Sequence, residues 1–186
     1  MKKLLVAFLL LIASPTALPA EGGVVTAADP RAAEAGREIL RQGGSASDAA
    51  IAMMLALTVV EPQSSGIGGG GFMIHNDGRT NAVETIDGRE TAPSSASPRL
   101  FLGEDGKPMP FLQAVPGGRS VGVPGNIALA ARASARWGKL RWSALFQPAI
   151  RLAENGYQVT PRLAGALSQV KGFWPDFPAA QAIYWQ

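Results

Sequence analysis

The segment Ala46–Val60 places the tightest limit on what this chain can become. It reads Ala-Ser-Asp-Ala-Ala-Ile-Ala-Met-Met-Leu-Ala-Leu-Thr-Val-Val, apolar on every side of a 3.6-residue period after its first turn. A helix without a polar face has to sit in an interior, and at this length it cannot cross a bilayer. Ser45 and Asp48 precede the apolar run with the spacing of a capping box, which fixes where the helix starts. Glu61-Pro62 stops it. The rest of the fold has to wrap this element, and its many alanines allow neighbouring backbone to come close.

Other elements follow from punctuation. Gly23–Ala28 is a short apolar run and is expected as a buried strand. Asp29-Pro30 has the form of an N-cap followed by the first helical position, Ala32, Ala33, Ala35, Ile39 and Leu40 supply a stripe, and Gly43-Gly44 closes that helix. Phe72–His75 and Thr80–Ile86, joined through Asn76-Asp77-Gly78-Arg79, are expected as a β-hairpin. The Pro-, Ser- and Gly-rich stretch from Pro93 to Pro116 predicts a long surface loop. Helical patterning resumes from Asn126 to Trp137 with Gly138 as cap, then from Ser143 to Asn155 with a break at Pro148, and again after Thr160-Pro161.

Charge and composition remove several classes of function. Lys2 and Lys3, the apolar run Leu4–Ala13 and the small residues up to Ala20 have the order of a cleavable secretory signal. As a membrane anchor those ten apolar residues would span about 15 Å, roughly half the hydrocarbon core. Without Lys2 and Lys3, 15 basic side chains face 14 acidic ones, so no basic field for nucleic acid is left. There is no cysteine, hence no disulfide, thiolate nucleophile or zinc–thiolate site. Export to a bacterial periplasm, or secretion, with no stable membrane span is the expected destination.

Four features bear on chemistry. Gly66, Gly68 and Gly71 satisfy G-x-G-x-x-G, but a helix precedes them and a strand follows, the reverse of a dinucleotide site. The cluster is therefore either a point where backbone crosses backbone or the lining of a substrate site. His75, the single histidine, lies in a strand pattern with no matched carboxylates for a metal, and is expected to be structural or solvated. Trp137, Trp142, Trp174 and Trp185 are expected in the core. Arg89 follows the second hairpin strand and adjoins Gly88, which places a guanidinium at a sheet edge. It suits bidentate recognition of a carboxylate or an ordinary salt bridge, and the residues alone leave both open. No self-sufficient catalytic set is visible.

Taken in order, Asp48–Ala52, Gly66–Met73, Asp87–Pro93, Ser120–Gly125, Gln147–Ala153 and Ala182–Trp185 resemble the γ-glutamyltransferase (γ-glutamyltranspeptidase) family. The resemblance implies an α+β N-terminal-nucleophile hydrolase with a four-layer αββα sandwich, made as a precursor that cuts itself into two subunits. It implies transfer of a γ-glutamyl group from glutathione or a similar amide to a threonine at the small subunit's N-terminus, and then to water or an acceptor amino acid or peptide. No cofactor and no metal are expected. The arginine of the family's Asp-x-Arg-Glu motif matches Arg89, which is thereby expected to bind the donor's α-carboxylate.

No nucleophile carries over, because none of Thr58, Thr80, Thr85, Thr91 or Thr160 stands in the family's processing motif. Residues 1–20 are thus expected as signal peptide and 21–186 as an incomplete N-terminal portion of the large subunit, with the small subunit of the same precursor as partner. Expressed by itself the chain is expected to show neither turnover nor self-cleavage. Two alternatives stay open: a relative acting on another acyl amide, such as a glutaryl β-lactam side chain, and a non-catalytic truncated fragment.

Overall fold

The structure is a computed structural model that describes residues 23–184. The expected signal at residues 1–20 lies outside the described residues, as do Trp185 and the Trp174 side chain.

Helix α1 (Pro30–Arg41) starts as its cap dictates, with Asp29 Oδ1 accepting the Arg31 N–H at 2.8 Å and Pro30 in the first turn. It ends in a Schellman arrangement: Gly43 N donates to Leu40 O, Gly44 N donates to Ile39 O, and Gly43 takes φ +84°. Helix α2 (Ala46–Val60) opens on the full capping box, and no residue from Ser47 to Val60 is exposed. Ile51 and Leu55 are 2 % exposed, and burying each contributes roughly 1.5–3 kcal/mol. α1 crosses close over α2 at Gly36, where a Cβ would lie 2.7 Å from Met53 Cγ.

Strands β1 (Gly71–Asp77) and β2 (Ala82–Gly88) pair antiparallel in the register Gly71↔Gly88 to Asp77↔Ala82. The turn lies two residues later than expected. Asp77 O accepts from both Thr80 N and Asn81 N, Asn81 takes φ 57°, and β1 therefore runs on to Asp77. One face of the hairpin carries Met73, His75, Glu84 and Ile86 toward the helices. The other bears Phe72, Ile74 and Val83, each about two-thirds exposed or more.

The stretch after β2 is mostly irregular, as its composition predicts, with the single turns α3 (Phe111–Ala114) and 3₁₀ Gly118–Ser120. Its two ends are pinned together by the Thr91↔Val123 bridge.

Helix α4 (Asn126–Trp137) then packs Leu129, Ala130 and Ala133 against α2 and the hairpin. The expected Ser143–Asn155 helix is two pieces, α5 (Trp142–Leu145) and α6 (Gln147–Asn155), broken at Phe146 so that Pro148 falls in the first turn of α6, where it has no interior hydrogen bond to lose. Helix α7 (Pro161–Gln169) is capped by the Thr160 hydroxyl, and 3₁₀ Lys171–Asp176 leads to α8 (Pro178–Tyr184). Trp137 and Trp142 pack against the core while staying half-buried.

One expectation fails. Gly23–Ala28 forms no strand: Val25 and Ala27 turn inward but Val24 is 91 % exposed. Among the described residues the sheet consists of β1 and β2, and none of them gives this segment a neighbouring strand to take its backbone donors and acceptors.

Asp29 does more than cap α1. It is 1 % exposed and receives Arg31 Nε at 2.8 Å and Nη2 at 2.5 Å, while Arg31 also reaches Gln158 O and lies over the Tyr157 ring. The Arg31 hydrogen bonds hold the Asp29 carboxyl below its ordinary range despite burial. A carboxyl with a depressed folded-state pKa stabilises fully above its unfolded pKa of about 3.9, and that stabilisation is lost as pH falls through the folded value. Asp29→Asn is expected to lower stability by about 2 kcal/mol at neutral pH, with the gap to the parent narrowing below about pH 4. Urea midpoints across that range check it, and a gap that widens on acidification would refute it.

Candidate functional site

A cavity of about 630 Å³ opens where three segments converge: the glycine run after α2, the exit of β2 and the start of α4. Each wall has a local cause. Pro62 stops α2, and Glu61 O then accepts from Ser64 N and Ser65 N, turning the chain out of the core. Gly69 N donates to Gly66 O, which folds the glycine run into a tight turn. At the β2 exit Asp87 Oδ1 accepts Arg89 N at 2.9 Å, fixing the direction in which the chain leaves the strand.

The glycine run proves to be both things the sequence left open. It lines the cavity, and it is a crossing of backbones. A Cβ on Gly70 would lie 2.6 Å from both Glu90 N and Gly88 O. None of Gly66–Gly71 occupies the left-handed region, so space and not φ requires glycine there. Gly125 is as tight: its Cβ would fall onto the Gly88 carbonyl and lie 3.1 Å from Arg89 O. Gly69 O accepts both Gly125 N (3.1 Å) and Asn126 N (3.0 Å), and Asn126 Nδ2 donates to Gly66 O at 2.7 Å.

Arg89 borders this cavity with its side chain 59 % exposed. Nη1 lies 2.7 Å from Glu90 Oε2. That approach is an ion-pair contact only, because the buried Glu90 Oε2 receives no hydrogen bond of acceptable geometry. The geometry thus contains the ordinary salt bridge and still leaves most of the guanidinium edge facing open space. Sequence reasoning placed Arg89 at this strand exit. It missed Asn126, whose one signal was a polar residue opening an otherwise Ala- and Leu-rich helix directly after Val-Pro-Gly.

His75 lies elsewhere, beside a groove at the far end of the hairpin. It stacks on Trp137 with ring centroids 4.3 Å apart, and its Nδ1 is 3.1 Å from Ser47 Oγ. Ser47 is 2 % exposed, so this serine–histidine pair has no access for an acyl group and is a packing contact. Among the described residues no three His, Asp or Glu side chains come together as a metal site, and no helix is long and apolar enough to cross a membrane.

Residues 32–186 match the family model for gamma-glutamyltranspeptidase. The chain belongs to that family. It is 47 % identical over 146 residues to a glutathione hydrolase proenzyme of Bacillus subtilis, covering 78 % of this chain and 25 % of that protein. Against a glutathione hydrolase proenzyme of Escherichia coli the identity is 35 % over 170 residues, 90 % of this chain and 29 % of that one.

Among solved structures, the gamma-glutamyltranspeptidase of Helicobacter pylori superposes with TM-score 0.83 at 34 % identity, covering 88 % of this chain and 46 % of that chain. A cephalosporin acylase from Bacillus halodurans superposes at 0.64 with 32 % identity, covering 88 % and 32 %. The gamma-glutamyltranspeptidase relatives are enzymes, and the mixed helix–hairpin structure is part of their N-terminal-nucleophile hydrolase fold. The chain spans about a quarter of the length of the curated relatives it matches.

Proposed function

We propose that this chain forms the N-terminal portion of the large subunit of an exported γ-glutamyltransferase, and that it supplies the site for the donor's α-carboxylate. The observation that carries the reading is Arg89, held at the β2 exit on the rim of a cavity walled by glycine backbone, in a chain of this family. A guanidinium offers a planar fork that a carboxylate can accept bidentately. Anchoring the α-carboxylate fixes how far the γ-carbonyl reaches, so binding at the remote end orients the reacting end.

The nucleophile is a threonine outside this chain, at the N-terminus of the small subunit cut from the same precursor. Its hydroxyl adds to the γ-carbonyl, its own α-amino group takes the hydroxyl proton and passes it to the amide nitrogen, and the amine portion beyond the γ-amide bond of glutathione or another γ-glutamyl amide leaves. Water, or an amino acid or peptide acceptor, then takes the γ-glutamyl group off the threonine. Residues 1–20 serve as the export signal, with the periplasm or the exterior as destination. The apolar outer face of the hairpin (Phe72, Ile74, Val83) is consistent with a further layer packing on it.

Arg89→Lys in the processed enzyme keeps the charge and loses the fork. Donor kcat/KM is expected to fall by about 1.5–3 kcal/mol, roughly 10- to 150-fold. Unchanged donor KM and kcat/KM would sink the assignment. A second reading, hydrolysis of a glutaryl-type amide, is favoured by the likeness to the cephalosporin acylase. Direct competition between glutathione and a glutaryl amide decides between them.

A further inference from the structure

We infer that Asn126 is a positioning residue for the donor site, tying the glycine wall of the cavity to the wall that carries Arg89. The inference rests on the reading of Arg89 given above.

Asn126 is 7 % exposed, although it opens a helix whose outer side is solvated. Its side-chain amide does no capping work. Nδ2 reaches back 60 residues to Gly66 O at 2.7 Å, and Oδ1 lies 3.2 Å from where a Cβ on Gly71 would sit. The backbone N–H of Asn126 and that of Gly125 both go to Gly69 O. Two carbonyls of the glycine turn, those of Gly66 and Gly69, are therefore held by one two-residue stretch.

The same stretch touches the opposite wall. A Cβ on Gly125 would fall onto Gly88 O and lie 3.1 Å from Arg89 O, so no side chain fits between them. The Gly125–Asn126 step is thus a shared footing. Its glycine is wedged against the strand exit that aims Arg89, and its asparagine is bonded to the loop facing Arg89. Without the Nδ2 bond Gly66 O keeps the Gly69 N–H inside the turn but loses its tie to α4, and the spacing between loop and guanidinium is less tightly fixed from the Gly66 side. A donor held at both walls feels that change, whereas an acceptor that arrives after the γ-glutamyl group has moved to threonine does not.

The test uses the processed enzyme with a chromogenic γ-glutamyl anilide as donor and glycylglycine as acceptor, on Asn126→Asp, Asn126→Ala and Arg89→Lys. Asn126→Asp keeps the shape and replaces the donor by an acceptor facing Gly66 O. Both Asn126 variants are expected to raise donor KM about tenfold, with kcat and acceptor KM within about twofold. Donor KM unchanged in both, or donor and acceptor KM rising together, overturns the inference. Loss of the folded enzyme in both variants overturns it too, since Asn126 would then be a folding residue. If Arg89→Lys also leaves donor KM unchanged, it is the site assignment that has failed. If Arg89→Lys raises donor KM while the Asn126 variants do not, only the positioning role has failed.

Discussion

Asp48→Ala is expected to destabilise the protein by roughly 3–5 kcal/mol. Asp48 is completely buried, and its Oδ2 alone accepts three backbone N–H groups: Ser45 at 2.9 Å, Lys139 at 2.8 Å and Leu140 at 3.2 Å. The first closes the capping box of α2. The other two lie more than ninety residues away and fix the turn between α4 and α5. Truncation leaves three donors without an acceptor and opens a void between the start of α2 and the turn at Gly138. Asp48→Asn keeps an oxygen for the three donors and is expected to cost clearly less. At about 2–4 °C per kcal/mol, the alanine variant should melt on the order of 10 °C below the parent. An alanine variant within a degree or two of the parent would show that the carboxylate is not the hub described.

How much of this could be read from the residues depends on how local each cause is. Asp29-Pro30, the Ser45/Asp48 box and Thr160-Pro161 each set a helix start through bonds within three residues, and all three starts stand where the sequence puts them. The apolar circumference of α2 forced an interior position, and it has one.

Errors arose where a partner distant in sequence decides. Gly23–Ala28 has strand composition, but composition cannot supply the adjacent strand. The hairpin turn is the exception, a local miss: Asp77 O accepts from residues three and four further on, extending β1. At the candidate site Arg89 was legible, since a residue leaving a predicted strand beside a glycine has a definite location. Its Glu90 contact and the Asn126–Gly66 bond were not, because one is a matter of rotamer and the other joins residues 60 apart. The second role of Asp48 escaped for the same reason: its capping partner is three residues away and its remaining partners are across the fold.

The glycines at the crossing lead to the second large expectation, a graded series with a built-in control. Gly68→Ala meets nothing within 4 Å and requires no left-handed φ, so it should leave stability and activity near the parent's. Gly125→Ala puts a methyl group onto the Gly88 carbonyl oxygen and 2.6 Å from its carbon, both of them backbone atoms that no rotamer change can move aside. Either α4 or the β2 exit must shift by about 1 Å, which costs about 1–3 kcal/mol of overpacking or more. A shift there moves Arg89 relative to the loop, and a displacement of that size lowers donor kcat/KM by about a hundredfold.

Gly70→Ala, 2.6 Å from Glu90 N and Gly88 O, should fall between the two, because the glycine turn has more freedom to yield than a helix start. Thermal midpoints and donor kinetics on the three variants separate the possible roles of the glycine run. If it serves as a flexible flap, Gly68→Ala should do most harm, since Gly68 lies at the open part of the turn. If it serves as a backbone crossing that sets the cavity's width, the order of damage is Gly125, then Gly70, then Gly68. A Gly125→Ala enzyme with the parent's melting point and donor kcat/KM would mean that the two walls are not wedged against each other as the geometry requires.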